Sequence, residues 1–495
     1  MLDQIFDVIV IGGGINGAGI ARDAAGRGLS VLLCEKDDLA EHTSSASTKL
    51  IHGGLRYLEY GEFSLVRKAL QEREVLLDSA PHIMWPLRFV MPHNQHLRPA
   101  WMIRLGLFLY DHLAARKTLA GSAQIRLDQH ETGLPLKSSY SKGFMYSDGW
   151  VDDARLVVLN ARDAALHGAK ILTRTKCIQA QKTGEHWVVT LRNEHDTFTV
   201  KSKSIVNAAG PWAASFLDDA GTNQPHRSLR LIKGSHIVVP RLFDHECAYI
   251  FQNPDRRIMF AIPYEHDFTL IGTTDVDYIG DPGDATISNE EIDYLCKMSS
   301  EYFTASVTPD MVKWHYSGVR PLLDDEHSNA ASVTRDYSLE LVTNGPALLN
   351  VFGGKITTFR VLAETAVNQL VAALGLSCKP WTSKSKLPGG HLGSLSKTAY
   401  IQSVCEHYPH LPTDMVARVA QLYGSEHRRI LGNAKSLSDL GGYVIPGMTA
   451  SEIQYLRKYE WAVSAKDILW RRTKLGLHVP DCETTLQNWL VENPT

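Results

Sequence analysis

No stretch of about 18 apolar residues runs uninterrupted by charge, so nothing in the chain reads as a membrane-spanning helix. Cysteine is sparse. The seven residues (Cys34, Cys177, Cys247, Cys296, Cys378, Cys405 and Cys482) are scattered, with no CxxC or other metal-ligand spacing. That excludes an iron–sulfur cluster, leaves no metal site to expect, and reads as reduced thiols of a cytoplasmic protein. Charge of one sign is also lacking. A net charge of −3 gives no overall field for nucleic acid or an anionic membrane, so no nucleic-acid partner is expected and any basic surface must be local. The first residues carry neither the basic stretch and cleavage site of a secretory signal nor an arginine-rich transit pattern, and they are expected to remain in the folded protein. Internal repeats, low-complexity tracts and an EF-hand pattern are absent too.

What remains is a 495-residue chain, 44% hydrophobic and 21% charged, long enough for two or three domains or one large α/β domain with an appendage. Asp7-Val-Ile-Val-Ile11 is nearly all apolar and ends in glycines, as a strand buried on both faces of a parallel sheet does. A small-residue helical pattern from Ile15 to Gly28 and an apolar run from Leu29 to Cys34 complete a βαβ unit. Phe63 to Asp78 reads as an amphipathic helix. Alternation from Trp187 to Ile205, and again at Ser235–Pro240, Arg257–Pro263 and Phe268–Gly272, predicts an antiparallel sheet mid-chain. Leu387-Pro-Gly-Gly-His391 reads as a linker into periodic helical segments. The fold class is therefore α/β (α+β overall). Residues 1–388 form an oxidoreductase region, with nucleotide-binding segments near 1–66, 149–211 and 316–375 and cap segments near 67–148 and 212–315; residues 389–495 form a helical C-terminal domain.

Gly12-Gly13-Gly14-Ile15-Asn16-Gly17 matches GxGxxG directly after a strand and at the start of a helix, with Glu35 closing the next strand. Gly12 suits the tight turn, Gly14 admits a pyrophosphate to the helix N-terminus, Gly17 brings helix and strand together, and Glu35 can accept from ribose hydroxyls. The motif does not separate FAD from NAD. Two later segments favour FAD: Asn207-Ala208-Ala209-Gly210, after an apolar strand, and Gly353-Gly354-Lys355-Ile356-Thr357-Thr358, whose N–H groups at a helix start can face a flavin ring.

With Thr43-Ser44-Ser45-Ala46-Ser47 leading into Lys49-Leu-Ile-His52-Gly-Gly-Leu-Arg56-Tyr57-Leu58, these segments resemble the FAD-dependent glycerol-3-phosphate dehydrogenase family over essentially the whole chain, on the bacterial, quinone-linked side. The resemblance implies a glutathione-reductase-like FAD-binding Rossmann domain, an antiparallel-sheet substrate cap and a helical C-terminal domain. It also implies FAD as cofactor, held by Gly12, Gly14, Ile15, Asn16, Gly17, Glu35, Thr43, Ser44, Ser45, Ser47, Lys49, Ala209, Gly210, Gly354, Lys355, Ile356 and Thr357. The implied reaction is oxidation of sn-glycerol 3-phosphate to dihydroxyacetone phosphate. A phosphate dianion wants the planar fork of arginine, and the alcohol wants a base. Arg56, Tyr57, His236, Thr274, Asp275 and Arg335 are the implied substrate contacts. His52 is the preferred base, with Arg320 and Lys355 stabilising developing charge; a structural histidine bonded to backbone is the competing reading of His52.

With no second redox centre, electrons must leave by an acceptor that comes to the flavin, a membrane quinone in this family. The apolar, tryptophan-bearing segment His96 to Leu113 suits a peripheral contact with the cytoplasmic face of the inner membrane, or equally a cap helix. Trp470-Arg471-Arg472 reads as a basic contact or a solvated helix face. The resemblance further implies a homodimer. An oxygen-using oxidase of the same family and a silent dinucleotide-binding sensor are the rivals.

Overall fold

The computed structural model describes residues 4–94, 99–219, 228–253, 255, 257–323 and 337–494. The first sheet has eight strands, five of them parallel in the order Ala347–Phe352, Thr197–Asn207, Ile5–Ile11, Val31–Cys34, Lys170–Leu172. Burial is continuous along Val31–Cys34 and Ala347–Phe352 because both faces are covered: on one, Ile15–Gly26, Asp153–Leu166 and Phe359–Ala373 share a core with the strands, and on the other Trp187, Val189 and Phe216 do. The α/β class and the βαβ unit at the N-terminus hold.

The alternating stretch Trp187 to Ile205 departs from expectation. Its strands belong to this first sheet, where residues 197–202 pair antiparallel with His186–Arg192 and residues 204–207 pair parallel with Ala347–Asn350. Alternation marks the half-exposed portion of the strand, and full burial begins at Ser204, where the chain enters the parallel layer.

The second sheet has ten strands and is antiparallel apart from the pairing of Ala248–Gln252 with Met84–His93. Leu229–Pro240, Ile258–Tyr264 and Phe268–Gly272 lie in it as the alternation predicts. Trp314–Leu323, placed by sequence with the nucleotide-binding part, pairs along its length with Leu229–Val238 and so carries Arg320 into this sheet, opposite Ile232. The amphipathic helix runs Phe63–Ser79.

Beyond residue 396 the chain is mainly helical, with a core of its own around Val416, Val419, Ile453, Leu456 and Leu486. Leu387–Gly390 has no regular structure but is buried, its Leu387 N–H donating to the Ser79 carbonyl at 2.9 Å. Trp470-Arg471-Arg472 is neither a surface contact nor a solvated face. The Arg472 side chain is 0% exposed and meets Asp38 of the nucleotide-binding part. Nearby, Asp467 is held down at about 2: burial alone would raise it, but the Ser464 N–H and hydroxyl, the Val463 N–H and the Arg471 charge outweigh that. A carboxylate with a depressed folded-state value lends stability above its ordinary 3.8 and loses it as pH falls toward 2. Asp467→Asn should therefore lower the melting temperature at pH 7 and lessen its fall between pH 4 and 2, as read by calorimetry.

Candidate active site

The glycine turn is built by close approach. Gly12 has φ of +109°, and a Cβ there would lie 2.4 Å from the Ala208 carbonyl oxygen; one on Gly17 would lie 1.9 Å from the Gly12 oxygen. No side chain fits either position. At the helix start the Ile15 N–H donates to Ser44 Oγ at 2.9 Å, which brings the Ser-rich loop over the expected pyrophosphate position. Glu35 Oε2 accepts from the Gly13 N–H at 2.6 Å and Oε1 from Asp37 N–H at 2.9 Å, so its carboxylate is fixed beside the turn. Ala209 and Gly210 follow on the neighbouring strand end, where Gly210 opens a short turn.

Asn16 joins the two ends of the site. Its Nδ2 donates to the Gly353 carbonyl at 3.1 Å, and its Oδ1 is buried with no protein donor. A Cβ on Gly354 would come within 3.0 Å of that amide. An orphaned acceptor, a cradle with space only for glycine and a helix N-terminus in line are what a dinucleotide with a flavin ring would fill.

Past this point opens a cavity of about 1620 Å³, lined among others by His52, Arg56, Tyr57, Arg320, Asp275 and Lys355. Gly354, Ile356, Thr357 and Thr43 also border it. The His52 backbone N–H donates to Thr357 Oγ1 at 3.1 Å, which ties the candidate base to the loop expected under the flavin. The Gly53 N–H donates to Tyr110 at 2.8 Å, and Tyr110 in turn to Asp148, so the His-Gly-Gly segment is braced from behind. Lys355 Nζ sits 3.8 Å from the centre of the Tyr57 ring. Arg320 contacts Asp275 at 2.8 Å while remaining 39% exposed to the cavity and solvent.

Four expected contacts take a different place. Thr274 is buried and its hydroxyl donates to Glu291 at 2.7 Å; its neighbour Thr273 is the one that borders the cavity. His236 lies stacked on Tyr316 behind Thr48, with Nε2 3.0 Å from the Thr48 hydroxyl; burial, with Lys49 and Arg320 nearby, drives its pKa well below the ordinary value. Burial there favours the neutral imidazole, and the ring supports the wall. Lys49 and Ser47 both bind Asp153, each at 2.7 Å, so they brace the Ser-rich loop from inside. The cause is irregular backbone: residues 47–49 and 273–274 lie just outside the strands, and a motif read along the chain does not say which of its residues faces the cavity. Ser45 donates within its own loop, to the His42 carbonyl. Arg335 lies outside the described residues. Thr48, Thr273 and Asn253 also border the cavity; Thr48 stands between the serine-rich segment ending at Ser47 and the segment beginning at Lys49, and was not expected there.

Residues 7–360 match the family of FAD dependent oxidoreductases, and residues 380–488 match the C-terminal domain of alpha-glycerophosphate oxidase. A glycerol-3-phosphate dehydrogenase of Pseudomonas aeruginosa is 51% identical over 494 residues, 99% of this chain and 96% of that one. The chain belongs to the FAD-dependent glycerol-3-phosphate dehydrogenase family. The aerobic glycerol-3-phosphate dehydrogenase of Escherichia coli is 49% identical, covering 98% of this chain and 97% of that one. A D-erythritol 1-phosphate dehydrogenase of Brucella abortus is also 49% identical, covering 96% of each. Among solved structures, a glycerol-3-phosphate dehydrogenase from Bacillus halodurans complexed with FAD superposes with a TM-score of 0.81 at 27% identity, over 99% of this chain and 91% of that one. FAD is thus this family member's cofactor, and the glycine turn, Asn16 and the Gly353–Thr357 loop are the groups that fit it.

Proposed function

We propose that this enzyme oxidises sn-glycerol 3-phosphate to dihydroxyacetone phosphate and delivers the electrons to a membrane quinone. The observation that carries the reading is one cavity bordered by Arg56, Arg320, His52, Lys355 and the loop suited to the flavin. Arg56 and Arg320 bind the phosphate dianion, Arg320 being aimed by Asp275. His52, placed by Thr357, takes the proton from the secondary hydroxyl, and Lys355 offsets negative charge as it develops. FAD, when bound, supplies the hydride acceptor.

Anaerobic addition of glycerol 3-phosphate should bleach the yellow protein, and a soluble quinone should restore the colour far faster than air. Rapid recovery in air would make it an oxidase, and no bleaching would sink glycerol 3-phosphate as the substrate. D-Erythritol 1-phosphate belongs in the same assay, because the Brucella enzyme is as similar as the E. coli one and Gln252, Asn253 and Asp255 extend the cavity with polar groups for a longer polyol.

A peripheral contact with the cytoplasmic face of the inner membrane is part of the proposal. Among the described residues no helix is long and apolar enough to cross a membrane. The helix Ala100–His112, however, buries only Leu107 and Tyr110 and leaves Trp101 67%, Leu105 50% and Phe108 52% exposed. These three follow helical spacing along one face, and at its C-terminal end Arg67, His112 and Arg116 border a cleft of about 690 Å³ suited to lipid headgroups. Trp101→Glu with Phe108→Glu should abolish co-sedimentation with anionic vesicles and spare turnover with a soluble quinone. A homodimer belongs to the same reading, and light scattering reads it directly.

A further inference from the structure

The loop that follows Glu35 is held from outside by the C-terminal helices. Asp38, three residues past Glu35, is fully buried, and its two oxygens accept from Arg472 at 2.7 and 2.8 Å and from Arg471 Nε at 2.6 Å. Both arginines lie on the π-helical segment Asp467–Arg472. In a regular α-helix successive side chains diverge by roughly 100°, so the wider turn helps two neighbours reach one carboxylate. A second link closes on the other side. The Arg174 N–H donates to the Asp37 carbonyl at 2.9 Å while its guanidinium reaches Asp467 at 2.7 Å. Arg471 joins the links, 2.6 Å from Asp467 and 3.4 Å from Glu41.

Buried ion pairs add little net stability, since desolvation costs about what attraction returns; what a paired guanidinium and carboxylate do contribute is fixed geometry. Here that geometry falls on residues 37, 38 and 41, directly after the carboxylate suited to the adenosine ribose. We propose that Asp38, Arg471 and Arg472 are positioning residues for FAD: docking of the C-terminal helices through them shapes the ribose loop and sets cofactor affinity. The proposal rests on Glu35 being the ribose contact. By reciprocity, FAD tightens the docking of those helices.

The test is FAD titration of deflavinated full-length protein, followed by flavin fluorescence, alongside melting temperatures with and without FAD. Asp38→Leu combined with Arg472→Met removes both charges together and strands neither. This variant should fold, bind FAD about tenfold more weakly, a usual size for coupling between two sites, and show a smaller FAD-induced rise in melting temperature than the parent. A purely structural pair would lower both melting temperatures alike and leave the FAD dissociation constant unchanged, which overturns the proposal. If the double variant does not fold, Arg471→Gln, at a partly exposed position, carries the same readouts with a smaller expected loss. Glu35→Ala separates the two readings. Weaker FAD binding there with an unchanged constant in the clamp variants defeats the clamp alone, and unchanged binding in Glu35→Ala defeats the ribose contact and the clamp with it.

Discussion

Anaerobic flavin reduction by glycerol 3-phosphate is expected to slow by about a hundredfold to ten-thousandfold when His52 becomes alanine, the range spanned by loss of a positioned general base. The variant should still purify yellow, because the tie from residue 52 to Thr357 on the flavin-side loop runs through the backbone N–H, which alanine keeps. Stopped-flow absorbance in the single-turnover regime separates this loss from binding: the limiting rate should fall while the substrate concentration for half-saturation, which the proposed function assigns to Arg56 and Arg320, should move little. An unchanged limiting rate and pH profile would show that another group takes the proton and that His52 is a structural residue of the cavity wall.

Gly17→Ala should yield colourless protein. A methyl group 1.9 Å from the Gly12 carbonyl oxygen cannot be accommodated by a side-chain rotation, because the obstructing atom is backbone on both sides of the turn. The helix Ile15–Gly26 has to move off the strand end, and the pyrophosphate loses the N-terminus that was aimed at it. The expected loss of FAD affinity exceeds a hundredfold, or about 3 kcal/mol. Gly28→Ala is the control: that position has positive φ but no atom within 4 Å, so it tests strain without collision and should keep its colour. Retention of FAD by Gly17→Ala at normal stoichiometry would mean that the dinucleotide does not lie across this turn.

Much of the site was legible because its chemistry is local. Gly12 to Gly17, Ser44, His52 to Tyr57 and Gly353 to Thr357 each lie in one short segment, and a turn or helix start specifies its own backbone from a few residues. Side chains on irregular segments beside strands were harder to place. Which of Thr273 and Thr274, or of Ser47, Thr48 and Lys49, faces the cavity is decided by distant partners such as Glu291 and Asp153. Trp470-Arg471-Arg472 shows the same limit for charge. Two adjacent arginines look solvated until a carboxylate more than four hundred residues earlier is folded against them.

The sequence by itself determined the dinucleotide turn, the βαβ unit that carries it and the flavin-side loop, since short-range backbone geometry and hydrophobic periodicity need no distant partner. Only the tertiary structure decided that Trp314–Leu323 carries Arg320 into the cap sheet, that His236, Thr274 and Lys49 stand behind the cavity wall, and that Asp38 is gripped from the C-terminal helices. The reason is physical: strand pairing and the burial of charge are contacts between segments far apart in the chain, and their energy exists only once both segments are in place.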